Sequence, residues 1–139
     1  MGMKHLFIIT LVLMSFISSP SWSERIYDLV GRDGVYYLKF SQVPFTGEIE
    51  GRTQGSFKNG LREGSWVSYR DNCQLASAGD YKNGKKEGSW VSYHKNGQLR
   101  YKGDYKNGEE EGSWVGYKVS GSVWKKFTGT FKEGVKISD

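Results

Sequence analysis

Beyond its first 23 residues the chain carries one cysteine, Cys73, and one histidine, His94. A nucleophilic thiolate needs a base at hydrogen-bond reach and a third group to orient that base. Cys73 and His94 fall in different copies of an internal repeat, and His94 aligns with Arg70 and Lys118. A position filled by cations in the sister copies reads as a tolerated surface or edge site, not as a base. Zinc asks for three or four nitrogen or sulfur ligands, and these two residues fall short. The stretch Asp80–Gly84 lacks the dense carboxylates of a calcium loop and is crowded by Lys82, Lys85 and Lys86. Gly55, Gly60 and Gly64 recur as turn glycines, unlike a phosphate loop at a strand-to-helix junction. The expectation is therefore no catalytic residue, no metal and no cofactor.

The aromatic residues are the live chemistry. Trp66, Trp90 and Trp114 recur at intervals of 24 residues, as do Tyr81 and Tyr105, with Tyr101 between them. Rings stacked along one side accept sugar faces, quaternary amines or a partner's apolar side chains. The same rings are also the natural core, because a sheet of this size offers little else to bury. Both uses hold together if a curved sheet keeps its groove part filled and part open. The candidate interaction surface is thus Trp66, Trp90, Trp114, Tyr81, Tyr101 and Tyr105.

The elements that must hold these rings follow from the repeat itself. Gly79-Asp-Tyr-Lys-Asn-Gly84 begins again at Gly103, and Gly55 leads an earlier copy. The copies run 55–78, 79–102 and 103–128, with a partial fourth at 129–136, and so many matched positions mark a repeat protein. Three to five glycines in each copy, each costing about 1 kcal/mol inside a helix, argue against helix. Trp-Val-x-Tyr and the Asn-Gly pairs favour strands joined by tight turns. A two-residue turn at Asn96-Gly97 pairs Tyr93 with Arg100, Ser92 with Tyr101, Val91 with Lys102 and Trp90 with Gly103. Alternation then puts Trp90, Ser92, His94, Leu99, Tyr101 and Tyr105 on an apolar face and Val91, Tyr93, Lys95, Arg100, Lys102 and Asp104 on a wetter one. Gly103 would let the indole of Trp90 lie over bare backbone. The stretch Asn83–Gly88 reads as a polar loop projecting into water. Cys73 stands where Gly97 and Gly121 stand, so its turn is strained or altered. Two extra residues before Gly129 predict a longer loop or bulge at Val119–Trp124. The predicted fold is all-β: an elongated, single-layer antiparallel meander of 24-residue hairpin repeats.

Residues 24–54 form an altered copy capping the array, with strands predicted at Ile26–Val30 and Val35–Phe40 and a turn at Arg32–Gly34. Phe45–Ile49 resembles Phe127–Phe131. Residues 1–23 have the pattern of a secretory signal peptide: Lys4 and His5, an apolar run Leu6–Ile17, and small residues before a cut ahead of Glu24. The run is too short to span a bilayer. Export places the protein in the periplasm or outside the cell. Without Lys4 the chain has 19 basic and 15 acidic side chains, a mild net +4 scattered through every copy. A nucleic-acid footprint wants a basic stripe, so no nucleic-acid partner is expected. A lone Cys73 forms no internal disulfide and reads as a bland surface thiol.

The copies resemble the MORN repeat, in its bacterial, antitoxin-like variant. The resemblance rests on Gly79-Asp-Tyr81-Lys-Asn-Gly84, Gly88-Ser-Trp90-Val-Ser-Tyr93 and Asn96-Gly97-Gln-Leu99. It covers Gly55 to about Gly134 and, more loosely, Gly34 to Gly55. It implies a single-layer run of β-hairpins that binds other proteins or, in some relatives, membranes. It also implies an antitoxin or immunity-like role, which a signal peptide would move outside the cytoplasm.

The expected function is that of an exported, non-enzymatic protein-interaction module with an unidentified protein partner. The alternative is a binder of cell-envelope glycans or choline-type ligands through the aromatic ladder. Association with a membrane surface through scattered lysines is a weak third. Edge-to-edge self-association through an exposed end strand is open to any such sheet.

Overall fold

In a computed structural model, which describes residues 24–139, the chain is all-β. The predicted leader and its cut before Glu24 lie outside the described residues. The strands are β1 (Glu24–Arg25), β2 (Leu29–Arg32), β3 (Val35–Leu38), β4 (Gly47–Glu50), β5 (Thr53–Lys58) and β6 (Leu61–Tyr69). They continue as β7 (Leu75–Lys82), β8 (Lys85–Tyr93), β9 (Leu99–Lys106), β10 (Glu109–Gly116), β11 (Gly129–Lys132) and β12 (Val135–Ser138). From β4 to β12 the sheet is an antiparallel meander in chain order, and β1 joins its start in parallel beside β4. The hairpin of β2 and β3 forms a separate two-stranded sheet at that end. Outside its bulges, each strand of the meander thus pairs with the next segment of chain.

The turns are distributed differently from the expectation. In the regular copies the tight two-residue turns are Asn59-Gly60, Asn83-Gly84 and Asn107-Gly108, where both residues have positive φ (50° and 80° at Asn83-Gly84), and Asp33-Gly34 and Glu133-Gly134 turn the same way at the two ends. They join Lys58 to Leu61, Lys82 to Lys85 and Lys106 to Glu109 directly. The polar loop predicted over Asn83–Gly88 is therefore a tight turn followed by strand. At Asn96-Gly97 only the glycine is left-handed, at φ 83°. The Gly97 N–H closes a turn on the His94 carbonyl at 3.0 Å, centred on Lys95-Asn96, and the Asn96 side chain accepts the Gln98 N–H at 3.1 Å. This asparagine spends its side chain on an Asx bond, which suits the right-handed conformation. The turn is one residue longer than predicted, so Tyr93 pairs with Leu99 and not with Arg100, while Ser92–Tyr101, Val91–Lys102 and Trp90–Gly103 pair as expected.

The cap and the insertion also differ in detail. Ile26–Asp28 is a 3-10 turn ahead of β2, and β3 ends at Leu38, with Phe40 at φ 66°. The turn around Val119–Gly121 keeps the closing bonds of its sister turns, Gly121 N–H to Lys118 O and Lys118 N–H to Ser122 O, each 2.9 Å. The two extra residues are taken up in a 3-10 turn at Lys125–Phe127.

Each copy contains a bulge that aims its indole. Asp80 pairs with Glu87 and Ala78 with Val91, so Gly88, Ser89 and Trp90 together face Gly79. Gly88 takes φ 65° there. A bulge bends its strand and increases twist, and the Trp90 ring swings back over Gly79 of β7: a Cβ added to Gly79 would stand 2.2 Å from it. Trp66 covers Gly55 and Trp114 covers Gly103 in the same way. The ring expected over Gly103 was Trp90, its ladder partner; the bulge makes it Trp114.

Candidate functional site

The three indoles share one face and build a continuous aromatic ladder. Trp66 meets Tyr81 edge-on at 5.6 Å between centroids, and Tyr81 meets Trp90 at 5.1 Å. Trp90 meets Tyr105 at 6.2 Å, and Tyr105 meets Trp114 at 4.9 Å. Phe57 extends the series before Trp66 and Phe131 after Trp114, and Tyr101 leans on Trp114 and stacks with Phe127. Edge-to-face contacts suit the ring quadrupoles. The indoles are only 4–6% exposed, whereas Tyr81, Tyr101 and Tyr105 are half-buried. The ladder is thus the main apolar core of the repeats, with tyrosines at its accessible rim. The Trp90 and Trp114 N–H groups donate to the carbonyls of Asp80 (2.9 Å) and Asp104 (3.0 Å), tying each ring to the strand it covers.

Two cations lie over the indoles, and sequence reasoning passed over both. The Arg62 guanidinium sits 5.3, 5.0 and 5.2 Å from the centroids of Tyr36, Trp66 and Tyr81, and donates to the hydroxyls of Tyr81 and Tyr36 at 3.1 Å. One copy on, the Lys86 ammonium lies 4.5 Å from the Trp90 centroid and 4.7 Å from that of Tyr105. These are cation–π distances. Burial lowers the Lys86 pKa; the charge of Glu110 opposes that shift and the charge of Arg62 adds to it. Burial also holds the Tyr105 phenol well above the usual tyrosine value, with Tyr101, Glu110 and Tyr81 adding to the effect. The signal was in the spacing: Arg62, Lys86 and Glu110 occupy one position of the repeat.

Inter-copy bonds hold the ladder in register. The Glu63, Glu87 and Glu111 carboxylates accept the turn N–H groups of Asn83 (2.8 Å), Asn107 (2.9 Å) and Glu133 (3.1 Å) in the copy that follows. At the opposite turns Arg70 donates to the Tyr93 carbonyl at 2.6 Å, and His94 Nε2 lies 2.7 Å from the Tyr117 carbonyl. An imidazole N–H and a guanidinium do the same job, which explains why Arg70 stands in the place of His94 one copy earlier. The position is a staple between copies, not the indifferent edge site that alignment suggested.

The face away from the ladder is open. Ala78, Val91, Tyr93, Leu99 and Lys102, with Gly79 and Trp90 beneath, line a hollow of about 630 Å³. Leu99, expected on the indole side, joins Tyr93 here because the longer turn pairs the two. At the end of the sheet β12 leaves Val135 and Ile137 exposed at 63% and 60%. Cys73 is exposed and unpaired. Among the described residues no group of three His, Cys, Asp or Glu side chains is placed to hold a metal ion, and no helix is long and apolar enough to cross a membrane.

No family model, no curated protein and no solved structure matches this chain.

Proposed function

We propose that this chain is an exported, non-enzymatic repeat module that binds another protein across the open face of its sheet. The observation that carries the reading is the hollow lined by Ala78, Val91, Tyr93, Leu99 and Lys102. A single-layer sheet has a second face that no other described residue covers, and here that face offers apolar side chains, a tyrosine and a lysine, the composition of a protein contact. The MORN-like residues Gly79–Leu99 support the same reading, and the leader-like residues 1–23 support export. An immunity-like role is a special case, in which the partner is a toxin outside the cytoplasm.

The test is affinity capture from a cell-envelope extract with the wild-type chain, Tyr93→Ser and Leu99→Glu. A saturable partner held by the wild type and released by both variants is the expected result. Failure to retain a partner at micromolar concentration, or one that ignores both substitutions, would overturn the reading. The second reading, a glycan or choline-type ligand on the ladder, meets Arg62 and Lys86 already lying on the rings of the first two copies.

A further inference from the structure

One position on the ladder face changes from copy to copy, and the change leaves a space. Thr53, Ser68, Ser77, Ser92 and Tyr101 form a row across five strands, each paired with the next. Directly paired residues share a face. Tyr101 fixes that face as the one with the indoles, because its ring leans on Trp114 at 5.9 Å. Twenty-four residues earlier the same position is Ser77. Trp90 therefore lacks the ring that Tyr101 gives Trp114. Ser92, paired with Tyr101, is only 6% exposed, whereas Ser68, paired with Ser77, is half-buried. Here a cleft of about 120 Å³ opens, lined among others by Arg62, Trp66, Ser68, Ser77, Tyr81 and Trp90.

We propose that this cleft binds a phenol ring supplied from outside the chain, the side chain of a tyrosine on the protein partner. The chain itself shows how such a ring sits, since Tyr101 fills the corresponding position one copy on. The volume suits it: an apolar cavity of about 150 Å³ takes up benzene. The lining suits it too. Trp66, Tyr81 and Trp90 offer ring edges and faces, and Arg62 already donates to the phenol hydroxyls of Tyr81 and Tyr36. The buried Trp66 Nε1–H has no acceptor among the described residues, although its sisters at Trp90 and Trp114 do. A phenol oxygen is an acceptor for such donors. The tyrosine as source rests on the protein-binding reading; the ring site does not.

The experiment follows the three indole N–H signals by nuclear magnetic resonance while the full chain is titrated with p-cresol, the tyrosine side chain alone. We expect the Trp66 and Trp90 signals to shift saturably at about millimolar concentration, with Trp114 nearly still. Toluene, which lacks the hydroxyl, should bind about fivefold more weakly, the worth of one neutral hydrogen bond. Ser77→Tyr should abolish binding while the chain stays folded, because it installs the ring that the next copy carries. Ser77→Ala keeps the space and should still bind p-cresol. Motionless Trp66 and Trp90 signals, equal shifts at all three indoles, equal binding of toluene, or undiminished binding to Ser77→Tyr would overturn the site. So would methyl β-glucoside shifting the two signals where p-cresol does not. Envelope-extract capture turns on Tyr93 and Leu99 of the opposite face, so the two readings fail separately.

Discussion

The indole of Trp90 lies so close over Gly79 that a Cβ on the glycine would sit 2.2 Å from the ring. That contact is what the repeat is built to make. The bulge at Gly88 turns the tryptophan back across the sheet, the bare glycine lets it lie down, and the indole N–H reaches the Asp80 carbonyl at 2.9 Å.

Gly79→Ala should therefore be severe although the change is one methyl group. The ring cannot retreat without breaking its hydrogen bond and its contacts with Tyr81 and Tyr105. Overpacking of this kind costs about 3 kcal/mol. Gly88→Ala is the control: nothing lies within 4 Å of its added Cβ, and only φ 65° resists it, at about 1 kcal/mol. Urea unfolding of both variants checks the ranking; equal losses would mean that the ring contact is not the cause.

Glu87 is expected to matter beyond its own copy. Its carboxylate caps the Asn107 N–H at 2.9 Å, so Glu87→Ala leaves that donor to water and should cost about 1 kcal/mol. Faster amide exchange at Asn107 and Gly108, with the Asn59-Gly60 turn unchanged, identifies the capping bond as the cause. A uniform loss of protection would instead mean general destabilisation.

Tyr105 sets the alkaline limit. Its phenol holds its proton more tightly in the folded chain than the ordinary value of about 10. A group with a raised folded-state pKa contributes stability that is whole below the unfolded pKa and is lost as pH climbs toward the folded one. Stability should hold to about pH 10 and fall above it. Lys86 opposes this over a narrow range, because its lowered pKa makes stability rise as pH passes through it and up to the ordinary lysine value. Tyr105→Phe should flatten the alkaline decline in thermal melts between pH 9 and 11, a span chosen around the ordinary tyrosine value. An unchanged slope would place the titrating group elsewhere.

The spacing of 24 was enough to give two strands to each regular copy and to put the three indoles on one side, though it read the first residues of β6, β8 and β10 as loop. It could not say which Asn-Gly pair makes the tight turn, because both pairs look alike locally. The difference is long-range at one and short-range at the other. Asn83 and Asn107 have their N–H groups capped by Glu63 and Glu87 from the preceding copy, whereas Asn72 and Asn96 turn their side chains onto Gln74 and Gln98. The cations on the ladder were hidden for a similar reason. Arg62 and Lys86 sit in charged runs that read as solvated loop, and only the tight turn draws them into β6 and β8, where alternation brings them over the rings.

Cys73 offers the cleanest case of a sequence departure with a stability consequence. It closes its turn with its N–H on the Arg70 carbonyl at 2.9 Å, as Gly97 and Gly121 do on His94 and Lys118. To do so it holds φ 62°, beside 83° and 84° at the two glycines. A left-handed residue with a Cβ costs about 1 kcal/mol against glycine, and glycine returns part of that through its freer unfolded chain. The side chain is exposed, so its removal loses little burial. Cys73→Gly should thus raise stability by about 0.5–1 kcal/mol, while Cys73→Val, with a branched Cβ in the same conformation, should lower it. Urea midpoints measured under reducing conditions separate this backbone effect from intermolecular disulfides. If the glycine variant proved less stable than the wild type, the turn would owe its shape to the thiol and the strain argument would fall.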